Sequence, residues 1–189
     1  MFGLFKSPIE KKAEVAAQAF YSKLLRWEFV LGHNKLTSWL EVDKAPSFVQ
    51  NLNICFKQVQ IWEGARILNK VAPPEYTTPF GKEIRRLMDM EHENLMKLFV
   101  NLSTFVAANP TKLYNPTESL AKWILLNAVS IQHPSEKQLR EVTTDVHMAS
   151  VAVHEILTVL CQDFRFPKEL IIKEYDPSAS LDKFILDIR

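Results

Sequence analysis

EKQLREVTTDVHMASVAVHEILTVLCQDF, residues 136–164, reads as one long helix, and that reading decides the fold. Leu139, Val142, Val146, Ala149, Val153, Ile156 and Leu160 recur at alternating spacings of three and four. A helix turns about 100° per residue, so this spacing stacks them on one narrow seam. The seam is apolar without a break, the kind found in helical bundles. Pro134 and Ser135 supply a helix start, by a preset φ and by a capping hydroxyl. Glu136 and Glu141 suit the positive end of the helix dipole, and Pro167 stops the pattern. The expected helix is 135–164. A seam this long needs other helices to cover it.

Upstream, Leu120–Ile131 carries only Lys122 as a charge and is apolar almost all round, as a buried bundle helix is. Asn115-Pro116-Thr117-Glu118 starts it and His133-Pro134 ends it, which predicts a helix over 116–132. Thr78-Pro79 and Asn109-Pro110 bracket an expected helix over 79–108, with the stripe Ile84, Met88, Leu95, Phe99, Leu102 and Val106. Pro73-Pro74 is expected to force an extended break before it. Phe48, Leu52, Cys55, Val59 and Trp62 predict a helix over 47–71. At the N-terminal side, Ser7-Pro8-Ile9-Glu10 is a capping box with proline at the first helical position. Ile9, Ala13, Ala16, Phe20, Leu24, Trp27 and Leu31 extend that helix over 7–31, and Gly32 ends it. A short helix is expected around Leu36–Val42, and another within the tail 167–189, with Leu181, Phe184 and Ile185 docking on the body. No segment but Ile171–Tyr175, and that one weakly, alternates over a strand length. The expected fold is all-α: a single-domain multi-helix bundle of five long helices plus one or two short ones.

The composition fits that class. A chain of 189 residues, 47% apolar and 24% charged, suits one soluble domain with a real core. A formal net charge of +1 gives no general pull toward nucleic acid or membrane, and nucleic acid is not an expected partner. Four scattered glycines argue against phosphate-cradling loops. Two cysteines, Cys55 and Cys161, make neither a disulfide framework nor a zinc spacing. Residues 1–6 lack the pattern of a signal peptide, and no apolar run reaches the roughly 20 residues of a membrane span. The expected location is cytoplasmic.

Polar residues at apolar positions supply the candidate sites. Glu91 falls near the middle of the stripe on the 79–108 helix, with His92 at its edge. Arg66 falls on the line of Phe48, Leu52 and Val59, with Glu63 beside it. A carboxylate in a core costs several kcal/mol unless paired, so Glu91 is expected to be partly buried and paired with Arg66. The same three residues, Glu91, His92 and Arg66, are the candidate ligand-binding pocket. Lys82, Arg85 and Arg86 crowd the first turns of the helix expected from Pro79, and with its free N–H groups form a candidate anion site.

Metal and catalytic signatures are weak. His147, His154 and Cys161 repeat every seven residues but flank the seam, and residues seven apart lie about 10.5 Å apart along a helix. Neither the His pair at i, i+4 nor the Glu-x-x-His pairs of carboxylate metal sites occur in matching places. No metal, no cofactor and no catalytic residue is therefore expected. Phe2, Leu4 and Phe5 ahead of Lys6, Lys11 and Lys12 make an apolar tip with a basic collar, suited to weak membrane contact or to docking on protein. The leading function is a non-catalytic helical interaction module, an adaptor, chaperone-like or regulatory subunit that binds another protein or a second copy of itself. The alternatives are a small enzyme or ligand binder around Glu91, His92 and Arg66, and a peripheral membrane protein using Phe2, Leu4 and Phe5.

Overall fold

The computed structural model describes residues 6–24, 46–92, 94–110 and 116–164, with side chains as far as Leu160 in the last stretch. It is all-α. Among the described residues six helices follow in order: α1 (Pro8–Lys23), α2 (Pro46–Val71), α3 (Pro74–Glu91), α4 (Leu95–Ala108), α5 (Thr117–Val129) and α6 (Glu136–Phe164). No strand occurs among the described residues. The expected extension of the first helix to Leu31, the short helix at Leu36–Val42, the N-terminal tip and the tail 167–189 lie outside the described residues.

Local sequence sets the helix ends. Ser7 Oγ accepts from the Glu10 amide at 3.3 Å, and the Ser7 amide donates to Glu10 Oε2 at 2.6 Å, closing the capping box. Ser135 and Gln138 make the same reciprocal pair at the start of α6, at 3.3 and 2.9 Å. Ser130 closes α5 in the left-handed conformation at φ 60°, ψ 27°. The Ile131 amide then reaches back to the Leu125 carbonyl at 2.9 Å, as in a Schellman closure.

The single helix expected over 79–108 is corrected to two. Pro73 is extended at φ −70°, ψ 157°, and Pro74 opens α3 directly behind it. The Tyr76 and Thr77 amides donate to the Pro73 carbonyl at 2.9 and 3.0 Å. Pro79 therefore sits inside α3, where it gives up one backbone bond, while Tyr76 and Phe80 on either side of it are buried. At the far end His92 turns extended, φ −165°, ψ 131°. Its Nδ1 accepts from the Asn94 amide at 3.1 Å, so a side chain replaces a helical carbonyl as that amide's partner. The Leu95 amide donates to the His92 carbonyl at 3.1 Å, and α4 begins there.

The chain divides into two compact units. The first takes Met1–Leu24, Glu63–Met96 and Val153–Arg189; the second takes Leu25–Trp62 and Lys97–Ala152. In the first unit, Ala13, Ala16, Ala17 and Phe20 of α1 are buried, and α1 packs on α3. Three alanines keep the α1 surface shallow, so the backbones approach closely. The Phe20 and Phe80 rings stand 5.8 Å apart and tilted, an arrangement that adds about 0.5–1.5 kcal/mol beyond burial. Gly64 of α2 lies under the Phe20 ring: a Cβ there would stand 2.5 Å from Phe20 Cζ.

In the second unit the core joins α2, α4, α5 and α6. Phe48, Leu52, Cys55 and Val59 are buried as the stripe predicts, and so are Val142, Val146 and Ala149 of the α6 seam. Trp123 is fully buried, and its indole N–H donates to Asn101 Oδ1 at 2.7 Å, joining α5 to α4. Each large side chain buried this fully stabilises the fold by about 1.5–3 kcal/mol. On α5 the charged Lys122 turns outward to Glu118 at 2.6 Å.

Two substitutions test this packing by denaturant unfolding. Alanine normally gains about 1 kcal/mol over glycine in a helix. Gly64→Ala will instead lose about 1–2 kcal/mol, because the Phe20 ring is fully enclosed and must shift. In a Phe20→Leu background the same change will be neutral or stabilising. Ser130→Gly will stabilise by about 0.5–1 kcal/mol, because glycine takes the left-handed conformation without a Cβ penalty.

Candidate functional site

The candidate residues of the first unit lie on α3 and the last turns of α2. Ile84 and Met88 are buried on the inner face of α3, and Glu91 continues that line. The helix ends at Glu91, however, and Glu91 is exposed. It accepts a hydrogen bond from Tyr21 Oη on α1 at 2.5 Å. Burial first, and then the Glu91 carboxylate, raise the Tyr21 phenol above its ordinary pKa. Arg66 sets its guanidinium fork on Glu63, Nε to Oε2 and Nη2 to Oε1, both at 2.9 Å. The expectation of a buried Glu91 paired with Arg66 is thus corrected: Glu91 is exposed, and the described partners are Tyr21 for Glu91 and Glu63 for Arg66. The physical reason is proximity. A partner three residues away on the same helix is already in place and loses little chain freedom on pairing. His92 is exposed at the α3 terminus, with its ring turned to Asn94.

The candidate anion site changes with the helix start. Lys82 stands eight residues past Pro74, about 12 Å along the axis from the start of α3. Arg86 forks onto Glu83, Nε to Oε2 at 2.7 Å and Nη2 to Oε1 at 2.6 Å. Gln18 of α1 adds a third bond to Glu83 Oε1 at 2.7 Å. The Arg86 hydrogen bonds hold the buried Glu83 carboxyl down at about 2. Arg85 reaches Asp89 at 3.9 Å on the exposed side, a pair worth little in water. The three cations therefore do not converge on one point. Lys82 and Arg85 face outward, and Arg86 belongs to a bond network that fastens α1 to α3. That hub, Glu83, was readable from its spacing: Glu-x-x-Arg occurs at 63–66 and again at 83–86, and both pairs form.

The second unit holds a different set of polar groups. Gln58 and Gln60 of α2 are buried at 0% and 1% exposure. Neither heteroatom of either carboxamide has a hydrogen-bond partner among the described residues. Asp145 of α6 is partly buried, and its Oδ2 is likewise without a partner among them. Burial first, and then the charge of Glu141 one turn earlier, push the Asp145 carboxyl up to about 7. Such a carboxyl carries its proton half the time near neutrality, a property shared with general acids and bases. His147 is half-buried, and burial lowers its pKa; farther along α6, in the first unit, His154 is buried. Both flank the α6 seam, as their spacing implies. Cys55 is a buried free thiol pushed up to about 12 by burial, which suits packing rather than nucleophilic attack. The Cys161 side chain lies outside the described residues. No group of three or more His, Cys, Asp or Glu that could hold a metal ion occurs among the described residues.

Asp145 gives the stability a pH dependence of definite sign. An unfolded aspartate ionises near 3.9, whereas the folded one keeps its proton up to about 7. Its favourable contribution is complete below about pH 4 and is lost as pH rises through 7. Relative to Asp145→Asn, the unmodified protein will lose about 2 kcal/mol of unfolding free energy between pH 5 and pH 8. Denaturant titrations of both proteins across that range measure the difference, and histidine titrations common to both cancel.

No family model, curated protein or solved structure matches this chain.

Proposed function

We propose that the chain is a non-catalytic helical module that binds another protein, or a second copy of itself, through the outer side of α4. The observation that carries this reading is the chemistry of that side. Lys97, Val100, Asn101, Thr104, Ala107 and Ala108 are exposed there, and Lys97 is the only charge among them. Val100 keeps 55% of its surface in water. The polar groups are largely turned back into the protein: Thr104 Oγ1 donates to the Val100 carbonyl at 2.9 Å, and Asn101 Oδ1 accepts from Trp123. An exposed helix face normally carries charges, as α3 does with Lys82, Arg85, Arg86 and Asp89. Small and β-branched side chains with satisfied polar groups lose little hydration on contact, which suits the centre of a protein interface.

The reading as an enzyme or ligand binder around Glu91, His92 and Arg66 is less favoured, because Tyr21 and Glu63 already engage two of the three. The membrane reading rests on Phe2, Leu4 and Phe5, outside the described residues. No helix among the described residues is long and apolar enough to cross a membrane. The proposed compartment is the cytoplasm, supported by the free thiol at Cys55.

A photo-crosslinking residue placed at position 100 in the source cell tests the proposal. It will capture one dominant partner, and Thr104→Lys will abolish the capture. Binding of the purified partner will weaken at least tenfold in Thr104→Lys, a loss of about 1.4 kcal/mol or more. The folded stability will stay within about 0.5 kcal/mol, because position 104 is on the surface. Capture that is unchanged by Thr104→Lys, or no stronger than from position 82 on α3, would refute the reading.

A further inference from the structure

Gln58, Val59, Gln60 and Ile61 are consecutive and all buried, so α2 is enclosed on every side at this level. Its apolar seam in the second unit is Leu52, Cys55, Phe56 and Val59. Stepping by 100° per residue from Val59 puts Gln58 on one flank of the seam and Gln60 on the other. Each carboxamide offers a two-hydrogen donor and a carbonyl acceptor. None of these four groups meets a protein partner among the described residues. Buried amides left this way cost a large share of a domain's net stability, and native proteins rarely tolerate them.

The missing partner must both donate and accept. A cation would serve only the two oxygens and an anion only the two nitrogens. Either would also bring a charge to a level of the helix where Val59 and Ile61 offer it nothing. Water is the smallest group that donates and accepts at once, and buried water typically makes about three bonds to otherwise unsatisfied polar groups. We infer that Gln58 and Gln60 are two internal water-binding positions, one on each flank of α2, each holding a long-lived water molecule.

Magnetic relaxation dispersion of solvent deuterons counts long-lived internal waters in the intact protein. Gln58→Met and Gln60→Met keep side-chain length and remove both polar groups. Each will lower the count by one, and the double variant by two. Gln50→Met, on the same helix but exposed, will leave the count unchanged. A count unchanged in either buried variant overturns the inference. Where a variant fails to fold, a high-resolution crystal structure of the unmodified chain decides. Ordered water within hydrogen-bond distance of both amides supports the assignment, and amides bonded to protein groups or facing dry surroundings overturn it.

Discussion

Helix α2 has to bury more of its circumference than its apolar residues can fill. From Gln58 to Leu68 the buried positions include Gln58, Gln60, Glu63 and Gly64 as well as Val59, Ile61, Ile67 and Leu68. Each polar or small residue then imposes its own condition. Glu63 is accommodated because Arg66, one turn on, supplies two hydrogen bonds to its carboxylate. Gly64 is needed because the Phe20 ring takes the volume a Cβ would occupy. Gln58 and Gln60 have no comparable protein partner among the described residues, so their polarity must be met by something smaller than a side chain. Three of the buried polar residues, Gln58, Gln60 and Glu63, thus lie on this one helix, and the others, Glu83, Ser119 and His154, are spread over α3, α5 and α6.

What was legible in the sequence follows from the range of the interactions involved. Capping at Ser7 and Ser135, the α2 stripe and the α6 seam as far as Val153 are set by residues within a turn or two of one another, and the structure agrees with the spacing there; beyond Val153 it is Leu157 rather than Ile156 that is buried. The break between α3 and α4 was not legible. The residues from His92 to Asn94 include neither proline nor glycine, and the break depends on an imidazole nitrogen taking a backbone amide. The start of α3 was misplaced for the opposite reason. Pro79 looks like a first helical residue, but one lost backbone bond is tolerable where Tyr76 and Phe80 are buried beside it. The candidate site suffered from both errors. Moving the helix start back to Pro74 took Lys82, Arg85 and Arg86 away from the free N–H groups, and ending the helix at Glu91 exposed a carboxylate that lies on the core line.

The pairing of charges teaches the same lesson about local geometry. A helical wheel gives the direction in which a side chain leaves its helix and carries no information about the neighbour it meets. Arg66 and Glu91 share apolar directions on two helices, yet Arg66 has Glu63 three residues back. The repeat of that spacing at Glu83 and Arg86 shows the rule working twice in one chain. At Glu83 the local pair gains a long-range member in Gln18, and through it becomes a tie between α1 and α3.

Two carboxyls show how environment, rather than residue type, sets the electrostatic character of each unit. Glu83 has a guanidinium fork on it, so the charged form is favoured and its carboxyl is held down at about 2. Its contribution is complete above the ordinary glutamate range and fades as pH falls through that range toward 2. Asp145 has burial and a like charge from Glu141 instead, so the neutral form is favoured and its contribution fades as pH rises toward 7. The two act over different windows, and their combined contribution is greatest close to pH 4, between the two ordinary carboxylate values. Above that pH the second unit is weakened by a charge it does not stabilise, while the Glu83 tie in the first unit is at full strength. On the proposed reading, a partner covering α4 would act on the second unit, the unit that carries Asp145. Binding to the folded form alone would then offset part of the stability that Asp145 removes near neutral pH.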